Sequence, residues 1–233
     1  TVWTLSSFLQ AQGLAGRDKV TLLSAKSLAG ASLWTKQNFE ESLGKSEDLG
    51  IKIVIGEPFR MTTYRPAKDA RQDRVFLLIE RKGEPALDRV QLNLLKRAGY
   101  PIAVLTVEKD APLSRYMQFI HYAVFGLGWL RDMNFVTQPG VELYKAITNP
   151  LHQNGLFQGG IENTPEWRQL LTSPRQIKWR GGVTLHYDRL PCGFELRDRS
   201  AASAYGALLQ QLADARTIEY GELTAFADTR YSK

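Results

Sequence analysis

The chain has 233 residues, 43% hydrophobic and 23% charged, a balance that excludes a disordered, collagen-like or disulfide-stapled polypeptide. At roughly 100 to 200 residues per domain, this length allows one large domain or one domain with an appendage. Thirty Lys and Arg against 24 Asp and Glu leave +6, spread along the sequence rather than gathered in a run, so no nucleic-acid partner is expected and an anionic small substrate suits the charge.

The first 150 residues alternate strand-length apolar runs with helix-length segments, which predicts a parallel sheet with helices on both faces. Asp18-Lys19-Val20-Thr21-Leu22-Leu23 reads as the first strand. Residues 27–43 read as a helix with Leu28, Leu33, Trp34, Asn38 and Phe39 at mixed three and four spacings, stopped by Gly44. A β-branched run at 51–55 is the second strand. Residues 57–73, rich in Pro, Arg and Thr, form a long loop of the kind that usually carries function or motion. Arg74-Val75-Phe76-Leu77-Leu78-Ile79 reads as a strand that is continuously apolar after Arg74, as in a strand buried on both faces.

Residues 85–97 are predicted to be a helix burying Leu87, Val90, Leu94 and Leu95, and 101–107 the next strand. A long apolar helix follows at 114–130. The apolar run 116–130 contains Gln118 and His121 and falls short of the roughly 20 residues that span a bilayer, so no membrane association is expected. A further helix at 140–147 should stop before Pro150. Beyond residue 150 the texture changes, and residues 151–233 read as a small α+β extension. In it, 177–179 and 183–187 flank Arg180-Gly181-Gly182 as a hairpin, 201–213 is helical, and 217–226 reads equally as strand or helix. The domains are therefore 1–150 and 151–233.

The one cysteine, Cys192, excludes an intrachain disulfide, and His121, His152 and His186 lack metal-ligand spacing. A reducing, cytoplasmic compartment is the expectation. No secretory leader pattern opens the chain, and its start at Thr1 without Met suggests a piece of something longer.

Two segments place charged groups beside polar neighbours at predicted helix ends. In the first, Gln37 and Glu41 are four apart on one helical face, ahead of Ser42, Gly44 and Lys45. A surface helix ending at a glycine with a dipole-complementing lysine accounts for it equally well. In the second, Pro139 and Gly140 follow Gln138 at a helix start, and Lys145 lies two turns along on the face of Gln138. An exposed Glu142–Lys145 ion pair is its plain reading. Ser24, Ser27 and Ser32 could cradle a phosphate, although helix capping explains them.

The two segments together, in this order, resemble phosphoglucose isomerase. The family's first motif is a glutamine, three residues, then Glu-Ser-x-Gly-Lys, matched by Gln37 and Glu41-Ser42-Leu43-Gly44-Lys45. Its second, Phe-Asp-Gln-x-Gly-Val-Glu-x-x-Lys, is matched by Phe135 and by Gln138-Pro139-Gly140-Val141-Glu142-Leu143-Tyr144-Lys145. Thr137 replaces the family's Asp, and one extra residue follows Phe135. The similarity runs from about residue 18 to 147, with His121 and Trp129 also in register, and looks closest to the second sugar isomerase domain of fused transaldolase and phosphoglucose isomerase proteins.

The resemblance implies a flavodoxin-like three-layer sugar isomerase domain that interconverts glucose 6-phosphate and fructose 6-phosphate without cofactor or metal. It implies Glu41 as the base and Lys145 as the group acting on ring and enediolate oxygens, both catalytic. Gln37, Gln138, Ser42 and Lys45 would bind substrate. The family's phosphate loop, a stabilising arginine and a ring-opening histidine have no match, so the resemblance implies a partner in a first sugar isomerase domain of the same chain, and leaves room for a homodimer. By itself the 233-residue chain is expected to turn over little substrate. A non-catalytic sugar-phosphate-binding module is the rival expectation.

Overall fold

A computed structural model describes residues 1–45, 50–172, 176–179, 182, 184–186 and 200–214. The undecided segment 217–226, Cys192 and the Arg180-Gly181 turn lie outside the described residues. The chain divides into two compact units, Thr1–Ala146 and Ile147–Lys233.

The first unit is α/β, with four parallel strands. They are β1 (Lys19–Ser24), β2 (Lys52–Val54), β3 (Arg74–Arg81) and β4 (Ile102–Val107), in the order β2-β1-β3-β4. Lys19 of β1 pairs with both Lys52 and Arg74, and Phe76 pairs with Ile102. Side chains alternate across each strand, so β3 sends Val75, Leu77 and Ile79 to one face and Phe76 and Leu78 to the other.

The first face is covered by three helices: α1 (Val2–Leu14), α2 (Ala29–Leu43) and α4 (Leu113–Leu130). Helix α1 was not anticipated; Val2, Leu5, Phe8 and Leu9 face the core, but the exposed Trp3 and Leu14 blur that stripe in the sequence. It packs close to α4, where Ser6 Oγ donates to Ala123 O at 3.0 Å. A Cβ on Gly126 would lie 2.6 Å from that hydroxyl, so a glycine is needed there. Tyr116 ties α4 to α2 by a 2.6 Å hydroxyl contact with Thr35, and burial pushes its phenol up to about 12.

The second face is covered by helix α3 (Arg89–Ala98) and by the long loop that replaces a helix between β2 and β3. Phe59 and Tyr64 of that loop join Phe76 and Tyr100 in an aromatic cluster, with ring centroids 5.2 Å apart for Tyr64–Phe76 and 5.3 Å for Phe76–Tyr100. The α3 prediction needs correction. The helix starts four residues later than expected, behind a capping box in which Asp88 accepts from Gln91 N. Leu87 and Leu95 are buried, but Val90 is 69% exposed and Leu94 44% exposed. Leu92 turns inward instead, because the sheet and loop meet only one narrow stripe of this short helix.

Helix α5 (Pro139–Phe157) also departs from expectation by running through Pro150. A proline at that position removes the amide that would bond the carbonyl of Ala146. In the second unit, α6 (Pro165–Leu171) was not anticipated, the antiparallel pair β5 (Gln176–Lys178) and β6 (Thr184–His186) is the expected hairpin, and α7 (Ala201–Asp214) the expected helix.

Candidate functional site

Helix α2 runs antiparallel to β1, so its last turn comes to the edge where β2 begins. There two adjacent glutamates diverge. Glu40 turns inward: its Oε1 accepts from Lys36 Nζ at 2.7 Å and from the Ile53 amide at 2.9 Å, locking α2 to β2. Glu41, one helical step of 100° further round, is exposed, and its Oε2 accepts from Gln37 Nε2 at 3.2 Å. The anchored carboxylate therefore fixes the helix that presents the free one.

Gly44 ends the helix at φ −79°, which any residue can adopt. The glycine is required for a different reason from the left-handed stop that its place in the sequence suggests. A Cβ at Gly44 would lie 2.6 Å from the Glu40 carbonyl oxygen. That close approach lets the chain turn so that Lys45 folds back over the last helical turn.

Lys45 joins the two sequence segments. Its Nζ donates to the Glu41 carbonyl oxygen at 3.1 Å and to Gln138 Oε1 at 2.9 Å, across 93 residues of chain. Partial burial lowers the pKa of the ammonium, opposed by the nearby Glu41 carboxylate. Gln138 is held from both sides, because its backbone oxygen accepts the Glu142 amide as the first bond of α5 at 3.0 Å. With these contacts made, the second Glu41 oxygen, Gln37 Oε1 and Gln138 Nε2 carry no hydrogen bond among the described residues. A carboxylate, an acceptor and a donor are thus carried by residues joined in one line of hydrogen bonds, groups able to hold a polyhydroxy compound and exchange a proton with it.

Of the six residues singled out in the sequence, Gln37, Glu41, Lys45 and Gln138 are linked in one chain of hydrogen bonds. Ser42 is half-buried beside them and takes no part in those bonds. Lys145 is held elsewhere, donating to Glu142 Oε1 at 3.1 Å on an exposed surface. The serines do not form an open cradle: Ser27 gives both its amide and its hydroxyl to the Glu84 carboxylate, which lowers the pKa of that acid, and Ser24 bonds Ser32.

The sequence reading overlooked how the site continues along α2. Trp34, Asn38, Glu41 and Lys45 follow spacings of four, three and four, a single helical stripe. Asn38 Nδ2 donates to Trp34 O at 2.9 Å, and the Trp34 ring meets the exposed His121 imidazole of α4 with centroids 5.2 Å apart. Trp34 also packs against the core, and its helical spacing to Asn38 and Glu41 was the signal available in the sequence. No group of His, Cys, Asp or Glu suited to a metal ion is found among the described residues. The chain matches no protein-family model and no curated protein.

Proposed function

We propose that this chain carries the proton-transferring part of an aldose–ketose isomerase site acting on a phosphorylated sugar, interconverting glucose 6-phosphate and fructose 6-phosphate. The Lys45–Gln138 hydrogen bond carries the reading, since each segment alone is ordinary helix grammar and only their junction makes a site. Glu41 would take the proton from C2 of the open aldose. The released pair forms the C1–C2 double bond of an enediol, and the C1 carbonyl oxygen takes up a proton from solvent. Glu41 then returns its proton to C1 as the C2 hydroxyl gives its own proton back to solvent, which leaves a hydroxyl on C1 and the ketone at C2 with no net change in oxidation of the molecule.

Gln37 occupies one carboxylate oxygen and so orients the other toward the sugar. Gln138 Nε2 and Gln37 Oε1 would meet its hydroxyls. Lys145 would leave Glu142 to favour the enediolate charge, at small cost because an exposed pair contributes only about 0–1 kcal/mol. A positioned base is typically worth ~10²- to 10⁴-fold. In a coupled assay of fructose 6-phosphate conversion by the intact parent protein, Glu41→Gln should lose at least ~10²-fold in kcat with little change in KM. Undiminished turnover by that variant overturns the assignment.

The seat of Lys145 on Glu142, away from Glu41, favours a second reading, a sugar-phosphate-binding module without turnover. Under that reading calorimetry finds sugar-phosphate binding equal in the wild type and Glu41→Gln, and no isomerisation in either.

A further inference from the structure

The sequence scatters its positive charges, and the fold collects some of them. Helix α3 and the loop between β2 and β3 lie side by side over one face of the sheet, so their solvent sides form one surface. Arg60, Arg65 and Lys68 of the loop and Arg89, Lys96 and Arg97 of α3 are all exposed on it. None of the six has an ion-pair partner among the described residues. Of the nearby acids, Glu57 is paired with Arg74 and Asp73 with Lys19, while Asp69 and Asp88 accept the Arg71 and Gln91 amides and keep their charge, which leaves the surface an excess of cations. Lys96 and Arg97 complement the end of the α3 dipole. That explanation does not reach Arg60, Arg65 and Lys68.

The loop is built to hold this arrangement. Consecutive turns close it, with Thr63 N on Arg60 O, Asp69 N on Pro66 O and Gln72 N on Asp69 O at 2.9–3.0 Å. Phe59 and Tyr64 anchor it in the aromatic cluster, and Tyr100 Oη donates to Arg65 O at 2.7 Å, tying the loop to the end of α3. With those rings turned inward, the surface offers no aromatic platform for bases. Its exposed apolar side chains are aliphatic: Val90 at 69% and Leu94 at 44%, one turn apart on α3 and in line with Arg97.

We propose that this face docks on a membrane surface bearing anionic phospholipid, with the cations at the headgroups and Val90 and Leu94 entering the interface. Aliphatic side chains among basic ones on an exposed helix are the pattern of interfacial attachment. Charge complementarity identifies the occupant, and a nucleic acid, which gains little from Val90 and Leu94, is the competing polyanion. The attachment is peripheral, because no helix among the described residues is long and apolar enough to cross a bilayer.

Cosedimentation of the 233-residue chain with equimolar phosphatidylcholine–phosphatidylglycerol vesicles, against phosphatidylcholine alone, tests this. Binding should need phosphatidylglycerol and vanish at molar salt. At roughly fivefold per cation, Arg60→Gln/Arg65→Gln/Lys68→Gln should lower the partition coefficient about a hundredfold. Val90→Ser/Leu94→Ser should lower it about tenfold with every charge kept. All five positions are exposed, and unchanged denaturation midpoints establish that both variants fold. Absence of binding, equal binding to phosphatidylcholine, or no effect of the Val90/Leu94 variant overturns the proposal. Tighter binding to an RNA duplex than to the vesicles, lost in the charge variant alone, assigns the face to nucleic acid instead.

Discussion

The two faces of the sheet are closed by different means. On one, α1, α2 and α4 bury a continuous apolar layer and carry polar groups at the rim, where Lys45 reaches across 93 residues to Gln138. On the other, an irregular loop takes the place of a helix and is fastened by Phe59 and Tyr64 against Phe76 and Tyr100. Helices present side chains at fixed angular steps, so that face can aim Glu40 inward and Glu41 outward from neighbouring positions. A loop pinned at a few aromatic points leaves its other side chains outward, which is how cations far apart in sequence come to share a surface.

If both faces depend on β3, removing its central aromatic should weaken them together. Phe76 is fully buried, and Phe76→Ala should cost about 3–5 kcal/mol. Hydrogen exchange read alongside urea denaturation should then show protection falling in α2 as well as in the loop. A loss confined to the loop would mean that the two layers are independently stable and the comparison is one of separate parts.

A smaller effect is expected at Gly44, where the new methyl group would meet the Glu40 carbonyl oxygen at 2.6 Å. Gly44→Ala should cost about 1–3 kcal/mol, as overpacking typically does, and should displace Lys45 from Gln138. An unchanged melting temperature would show that the turn relaxes freely and that the glycine does not set the site. The smallest effect belongs to the polar link itself. A double-mutant cycle on Lys45→Met and Gln138→Leu should give a coupling of about 0.5–1.5 kcal/mol in stability, as expected for a half-exposed hydrogen bond. Zero coupling would remove the joint between the two segments and with it the geometric basis for the proposed isomerase.

Much of the sheet was legible in advance because buried parallel strands are apolar without alternation, and residues 74–79 could be read in no other way. Helix positions were legible from period, but not which side of the period is covered. Val90 and Leu94 have the spacing of a core face and are exposed, because the loop and sheet contact α3 along Leu92, Leu95 and Ala98. Helix α1 gave only a blurred periodic signal, and Pro150 marked a stop that the helix ignores at the expense of one hydrogen bond. At the candidate site, Gln37 and Glu41 were readable as a pair from their spacing of four residues. Lys45 meeting Gln138 was not, since no local rule relates positions 93 apart.

The amino-acid order alone determined the α/β class, the strands and the proximity of Glu41 to Gln37, since these follow from backbone periodicity and side-chain polarity. Tertiary structure decided the rest: that Lys45 closes on Gln138 while Lys145 stays with Glu142, and that dispersed cations converge on the loop and α3. Such pairings depend on which surfaces the packed core leaves adjacent, and that is a property of the assembled layers rather than of any local segment.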